Sequence, residues 1–495
     1  MRLYFTYQHL QNTGYYALLC ALFVTGGYLL AEVLFLLALD FPFNLYEPEV
    51  VMEAWQLAHG GTIYNNPEIG PHAGLYAPFY QLTGALLFQF LPESLLTLRA
   101  LSFISLVMIA FFTWKISSHQ NLMQFLFILL LIMMWHPNLL FFDLHAKPDS
   151  YSLFWVFGAI YLLIIWVDRA KLYYGIAASI CLILAFYTKQ TMLFVFVGSV
   201  AALLLQQEFR KAILLAGITI LLGVSAWFIF KDIAGDYLYF YLFELPGSFN
   251  ISYGQLAGSF YRLITEPWFL LAIYFMFRDF YKNRWHFLHT LLAVLLVLSL
   301  AACTLTAAKD GGLANAYQPF YLLTSLFVGI RIPVAALFRS TSPHFNMNAR
   351  KGLTALTFLI ALLLLGTISL NPAQYYSRIQ NRINSANSYH QLARDLQNAE
   401  GDVFVPYDNY LSLKAGKPVF WSYKSERDLY YSSITPKMAY RELARKHRHV
   451  VTVHIANYEN SMQLIPFIKD HGYIPAQSYP MDQAITYKWW KKEQQ

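Results

Sequence analysis

Long apolar runs separated by short polar stretches dominate the first three-quarters of the chain. The runs 15–39, 286–307 and 352–370 approach or exceed the roughly 20 residues an α-helix needs to cross hydrocarbon. The same pattern predicts helices at 15–39, 98–116, 121–141, 150–167, 171–187, 191–206, 212–231, 263–278, 286–307, 317–338 and 352–370, about eleven spans in all. The first run ends at Leu39-Asp40-Phe41-Pro42 with no small-residue cleavage pattern, so it reads as a retained helix and not a signal peptide. The run Tyr76 to Leu91 is shorter, follows Pro71, contains Pro78 and stops at Pro92. It fits an amphipathic helix lying at the interface better than a span.

Leaving that run out puts Arg2, Lys115, Arg169, Lys171, Arg210, Lys211, Arg278, Lys282, Arg284, Arg339, Arg350 and Lys351 on one side. By the positive-inside rule that side is the cytoplasm. Lys147, Lys189, Arg262 and Lys309 fall on the other. This threading predicts a multi-pass protein of the cytoplasmic membrane with a cytoplasmic N-terminus and a first outer loop over 40–97. After residue 371 the composition turns mixed and charged. Strand-like stretches at Val403–Tyr407, Pro418–Trp421, Val450–Ile455 and Ala484–Trp489, with a helical pattern at Pro436–Lys446, predict a small α/β domain over 371–495. The threading makes it extracytoplasmic and leaves 1–370 as the membrane domain.

Composition agrees. With 57% hydrophobic and 13% charged residues over 495 positions, the chain has too few polar groups to coat a soluble particle of its size. The net charge of +7 sits in short loops, where membrane orientation accounts for it and a nucleic-acid partner is not needed. Cys20, Cys181 and Cys303 lie far apart inside apolar runs, which predicts neither a disulfide framework nor a metal cluster.

The threading gathers unusual ionisable residues on the outer side: Asp40, Glu47, Glu49 and Glu53; His145, Lys147 and Asp149; then Lys189, Lys309 and Asp310. Charges at the ends of membrane helices are costly unless paired or used. Glu47 and Glu49 could bind a divalent cation, or one could deprotonate a hydroxyl while the other orients it. The plainer alternative is that Pro48 opens a helix whose first turn favours acids. At His145-Ala146-Lys147-Pro148-Asp149 the choice lies between a Lys147–Asp149 ion pair and a second carboxylate beside an anion-binding His145 or Lys147. Lys189 and Lys309 could snorkel or meet a lipid-linked phosphate, with Gly311 and Gly312 opening the backbone to it. The 76–91 segment could anchor at the interface or line a groove for an isoprenoid tail.

Several of these pieces together resemble one family. An acidic residue after the first span, then Ala54-Trp55-Gln56-Leu57-Ala58-His59-Gly60-Gly61-Thr62-Ile63-Tyr64 and Tyr76-Ala77-Pro78-Phe79-Tyr80, are similar to the first outer loop of the GT-C superfamily of membrane glycosyltransferases. The likeness is to the branch of protein O-mannosyltransferases and aminoarabinose transferases. Asp149 after Lys147-Pro148, the Tyr187–Thr191 turn, the Lys309–Tyr317 loop, and Tyr407–Tyr410 through Ala415–Pro418 share it. The family often carries Asp-Glu where this chain has Tyr46-Glu47, and a double proline where it has Ala77-Pro78. The resemblance implies transfer of a sugar from a polyprenyl-phosphate donor to a lipid, glycan or protein acceptor by a single inverting displacement. It implies Glu47 as general base and Asp149 orienting the acceptor or sharing a metal. Lys189, Lys309, Lys147 and His145 would face the donor phosphate, and Tyr46, Tyr76, Tyr80 and Tyr317 the acceptor or lipid groove. Glu47 and Glu49 are the candidate ligands for Mg or Mn. A transporter or flippase for lipid-linked sugars would use the same charges without chemistry, and a non-catalytic assembly protein would tolerate their loss.

Overall fold

The computed structural model describes residues 39–44, 46–67, 74–117, 122–133, 145–281, 286–309, 314–332, 372–405, 408–418, 449–455, 473–480 and 485–492, with scattered positions between 16 and 38. Helix α1 (Glu47–Ala58) opens on Pro48 with Glu47 and Glu49 in its first turn, where proline and acids both suit the unsatisfied N–H groups. It packs against α2 (Phe79–Phe88). At ten residues, α2 is about 15 Å long and too short to cross hydrocarbon. Then come α3 (Leu95–Ser117), α4 (Leu122–Met133), α5 (Pro148–Arg169), α6 (Leu172–Thr188), α7 (Leu193–Leu205) and α8 (Phe209–Ala234). A π-helical turn at Phe240–Glu244 leads to α9 (Tyr253–Ile264), α10 (Pro267–Tyr281), α11 (Phe287–Ala308) and α12 (Gln318–Arg331).

Among the described residues, α3, α5, α8 and α11 are long and apolar enough to cross a membrane. They match the spans expected at 98–116, 150–167, 212–231 and 286–307. The expected spans 171–187 and 191–206 are the shorter apolar helices α6 and α7, joined through Lys189 and a single 3-10 turn at Gln190–Met192. The span expected at 263–278 is differently bounded: Thr265-Glu266-Pro267 divides it, leaving α9 before and α10 after. The run 352–370, most of 15–39 and the distal parts of 121–141 and 317–338 lie outside the described residues.

The bundle core is built where α5 lies along α3 and α6, and where α11 lies against α7, α9 and α12. Leu153, Phe157, Ile160, Leu163, Leu295, Phe320 and Phe327 fill it. By contrast α8 is strongly apolar yet only 17% buried. Leu221, Phe228 and Ile229 stand exposed on it, a surface that only a nonpolar solvent can cover.

Helix α13 (Pro372–Asn398), the short α14 (Asn409–Lys414) and a four-stranded sheet form an α/β unit. The sheet order is β1 (Val403–Phe404), β2 (His449–Ile455), β4 (Ile485–Lys492), β3 (Tyr473–Pro480), with β1 and β2 parallel and the other pairs antiparallel. Ala386, Tyr389, Ala393 and Leu396, three and four residues apart on α13, bury against Val403, Val450, Tyr487 and Trp490, as helical periodicity requires. Phe41 of the first loop enters the same core. The strands expected at Val403–Tyr407, Val450–Ile455 and Ala484–Trp489 correspond to β1, β2 and β4. Pro418–Trp421 and Pro436–Lys446 fall wholly or mostly outside the described residues.

Candidate functional site

Residues on an α-helix advance about 100° each, so Glu47 and Glu49 point to opposite faces of α1. Their surroundings differ accordingly. The Glu47 carboxylate is fully buried and accepts four hydrogen bonds: from Arg99 Nε (2.8 Å) and Nη2 (2.7 Å), and from the backbone amides of Phe43 (2.8 Å) and Ala146 (2.9 Å). Arg99, five residues into α3 and also fully buried, donates further to the carbonyls of Leu39 (2.6 Å) and Phe41 (2.8 Å) and lies 4.1 Å over the Phe43 ring. Burial pushes the Glu47 carboxyl up, but the Arg99 guanidinium outweighs it and holds the pKa at about 2. A carboxylate so saturated is a poor proton acceptor. It pins the first loop, the start of α3 and the 145–147 turn together.

This bears on two sequence expectations. Glu47, expected as general base, is occupied by Arg99. Glu47 and Glu49, expected as joint metal ligands, lie on opposite faces of one helix and cannot converge on an ion. Among the described residues no group of three or more His, Cys, Asp or Glu side chains is arranged to hold a metal.

The second face of α1 looks onto a different cluster. Glu49 and Glu53, one turn apart and both buried, close over the backbone of Gly74. A Cβ on that glycine would stand 3.4 Å from Glu49 Oε2 and 3.3 Å from Glu53 Oε1. Glu53 accepts from the Gly74 amide (2.5 Å) and from Gln81 Nε2 (2.9 Å). Tyr76, two residues on, has its hydroxyl pushed well above the ordinary tyrosine range by burial first, then by Asp149, Tyr46 and Glu49, against a hydrogen bond from Asn315. Those neighbours define the site.

Asp149 is its centre. Pro148 and Asp149 form the first turn of α5, which fixes the carboxylate at the helix N-terminus. Asp149 is 0% exposed; its Oδ1 accepts from Lys189 Nζ at 2.5 Å and from Asn315 Nδ2 at 3.0 Å. Its Oδ2 is buried and has no hydrogen-bond partner among the described residues. The alternative of a Lys147–Asp149 pair is thereby replaced by Lys189–Asp149, formed across 40 residues. Lys189 sits in extended backbone at the end of α6, and Gln190 Nε2 donates to the Leu75 carbonyl at 2.6 Å, tying this turn to the first loop.

Lys147 is buried with its ammonium 4.4 Å over the Tyr46 ring. His145 bonds Asn44 Nδ2 through Nδ1 at 2.6 Å and stacks on Phe43. Burial lowers its pKa to about 3, with Lys147 and Arg99 also opposing protonation, so a neutral His145 is no phosphate-binding cation. Tyr80 donates to the Leu98 carbonyl and meets Ser102, a packing role and not a groove. Lys309 and Tyr317 lie apart from Asp149 in their contacts. Lys309 Nζ donates to the Pro246 carbonyl (2.5 Å), and the Tyr317 hydroxyl meets Ser259 (2.7 Å) beneath Arg262. The sequence pattern does not single out Arg99 or Asn315 as site residues; for Arg99 the available signal is a cation near the start of an otherwise apolar span.

Apolar spanning helices and an α8 face that only lipid can cover define an integral membrane protein, and its fold is similar to that of solved membrane-protein structures. Two solved structures carry the likeness: ArnT from Cupriavidus metallidurans bound to undecaprenyl phosphate, with TM-score 0.58, and the same protein in the apo state, with TM-score 0.57. Each is 11% identical, over 94% of this chain and 97% of that one. Neither a family model nor a curated protein sequence matches the chain.

Proposed function

We propose that this protein transfers a sugar from a polyprenyl-phosphate donor to an acceptor hydroxyl at the outer face of the cytoplasmic membrane, with Glu49 as general base. The observation that carries the reading is Asp149, buried, with one oxygen bonded by Lys189 and Asn315 and the other without a partner among the described residues, its charge acting with that of Glu49 on Tyr76. Likeness to a fold seen with undecaprenyl phosphate supports the lipid-linked donor.

In this mechanism the acceptor oxygen attacks the anomeric carbon from the side opposite the phosphate. Glu49 takes the hydroxyl proton while the bond from anomeric carbon to phosphate oxygen breaks, and the polyprenyl phosphate departs with the bonding pair. General-base help of this kind is worth about 10²- to 10⁴-fold. Charge grows on the leaving phosphate, so Lys189 and Lys147, already fixed in the protein, stabilise the transition state more than the ground state. Asp149 holds Lys189 in place with Oδ1 and offers Oδ2 to the acceptor.

The test is transfer by purified protein from a panel of radiolabelled polyprenyl-phosphate sugars to total envelope lipids and proteins, with release of free polyprenyl phosphate followed in parallel. Product formed by wild type and lost in Glu49→Gln supports the reading. Donor movement across vesicles with no polyprenyl phosphate released would establish a flippase instead.

A further inference from the structure

A second charged cluster lies at the end of the bundle opposite Asp149, where the proposed reaction has no use for it. Asn315 bonds Asp149 just before α12 begins, so Arg331, the last residue of that 14-residue helix, lies about 20 Å away. Helix α7 runs the same way from Lys189, and beyond its end Gln206 Nε2 donates to Thr290 Oγ1 in the first turn of α11 at 2.6 Å. Helix α10 packs against α12 and ends at Tyr281. Arg278 and Asp279 of α10, His289 of α11 and Arg331 of α12 therefore meet at one place.

Charge in this cluster does not balance. Asp279 is buried and pairs with Arg331, and its Oδ1 lies 3.3 Å from Arg278 Nη2. Arg331 Nη1 donates to His289 Nε2 at 3.2 Å, and Arg331 Nε is buried with no hydrogen-bond partner among the described residues. One carboxylate thus faces two guanidiniums. The flanking sequence supplies no second acid, since neither the stretch from Phe280 to Lys309 nor that from Gly311 to Arg394 contains Asp or Glu. At the other end of the bundle Glu47–Arg99 and Asp149–Lys189 are paired one to one. A surplus cation at the ends of membrane helices is costly unless an anion meets it. The surface beside this one is apolar: Phe277, Phe280 and Tyr281 of α10 are 62%, 71% and 84% exposed, as aromatics at a membrane boundary are. A ligand that satisfies both surfaces carries a negative head on a hydrocarbon tail.

We infer that Arg278 and Arg331 hold the phosphate of an anionic phospholipid whose acyl chains lie along Phe277 and Phe280. Basic pockets between membrane helices take such headgroups, and here the bound lipid would tie α10, α11 and α12 together. Neither the proposed reaction nor its donor enters the test. Full-length protein is reconstituted in nanodiscs of equal parts phosphatidylglycerol and phosphatidylcholine, and the lipid it retains is counted by native mass spectrometry. One phosphatidylglycerol should be retained per protein, favoured over phosphatidylcholine by at least about tenfold, the worth of one charge-assisted contact. Arg278→Gln changes a side chain that is 33% exposed and leaves the Asp279–Arg331 pair intact; it should melt as wild type does and lose the preference. Arg331→Gln alone would strand Asp279, so it is combined with Asp279→Asn, and the double variant should lose the preference too. Arg169→Gln, at an exposed cation on the same end of the bundle, should keep it. Equal retention of phosphatidylcholine, or wild-type preference in Arg278→Gln or in the double variant, would overturn the inference. Loss of the preference in Arg169→Gln would overturn it as well, making the attraction a property of the whole charged face. Displacement of the lipid by an equal concentration of inorganic phosphate would show that the cluster takes free phosphate instead.

Discussion

Glu47→Gln against Glu49→Gln separates the two carboxylates that the sequence puts two residues apart. Glu47 shares a buried, bidentate ion pair with Arg99 and two backbone amides. Removing its charge strands a guanidinium in an environment where an unpaired charge costs about 3–5 kcal/mol. The pKa leads to the same size: a carboxyl held at about 2 instead of 4.5 corresponds to about 3 kcal/mol of folding stability at neutral pH. Because the folded value is depressed, that stability is present above pH 4.5 and is lost as pH falls through about 2. Glu47→Gln should therefore lower the melting temperature of the detergent-purified protein by about 5 °C or more, with transfer falling only as the folded fraction falls. Glu49→Gln should melt within about 2 °C of wild type and lose at least about 100-fold in transfer. A Glu47→Gln variant of unchanged melting temperature and no activity would refute the assignment and return the base to Glu47.

Other outcomes follow from single contacts. Asp408 is fully buried and its carboxyl is raised by that burial to about 6 from 3.8, although the Leu411 amide and the Tyr487 hydroxyl donate to it. A raised acid favours the folded state when protonated. Stability should fall as pH rises from about 4 to about 6, and Asp408→Asn should gain about 3 kcal/mol on wild type across that window, read from melting curves of the two at each pH. Gly235 adopts φ +127 and a Cβ there would stand 2.4 Å from the Tyr64 carbonyl oxygen, so Gly235→Ala should destabilise by about 2 kcal/mol or more, seen as a lower melting temperature. Asn315→Ala removes one of two bonds to Asp149 Oδ1. Transfer should drop about 10-fold with little change in melting, the worth of one charge-assisted hydrogen bond; an unaltered rate would remove Asn315 from the site.

What can be read from the chain follows from the range over which each signal acts. Apolar runs and the Pro48 and Pro148 helix starts are local, and α1, α3, α5, α8 and α11 stand where they predict. Elements that rely on distant partners are not legible in this way. Strand β3 carries Pro475 and Pro480 and is mostly exposed, a pattern tolerated because it is an edge strand and invisible until β4 is placed beside it. Helix α13 is polar along most of its 27 residues and is held by Ala386, Tyr389, Ala393 and Leu396 meeting a sheet that lies later in the chain.

The site divides along the same line. That Glu47 and Glu49 must face opposite ways is a consequence of 3.6 residues per turn, and their spacing in the chain is enough to require it. Which face meets the reacting groups depends on Arg99, 52 residues away, and on Asp149, 100 residues beyond Glu49. The family resemblance points to Glu47 because Tyr46-Glu47 occupies the place of Asp-Glu. Arg99 claims the second residue of that pair, and the first is a tyrosine here. Tyr46 lies against Lys147 and contributes to the field at Tyr76, but a neutral phenol is a far weaker base than a carboxylate. In the proposed reaction the carboxylate on that side of α1 is Glu49, whose charge acts on Tyr76.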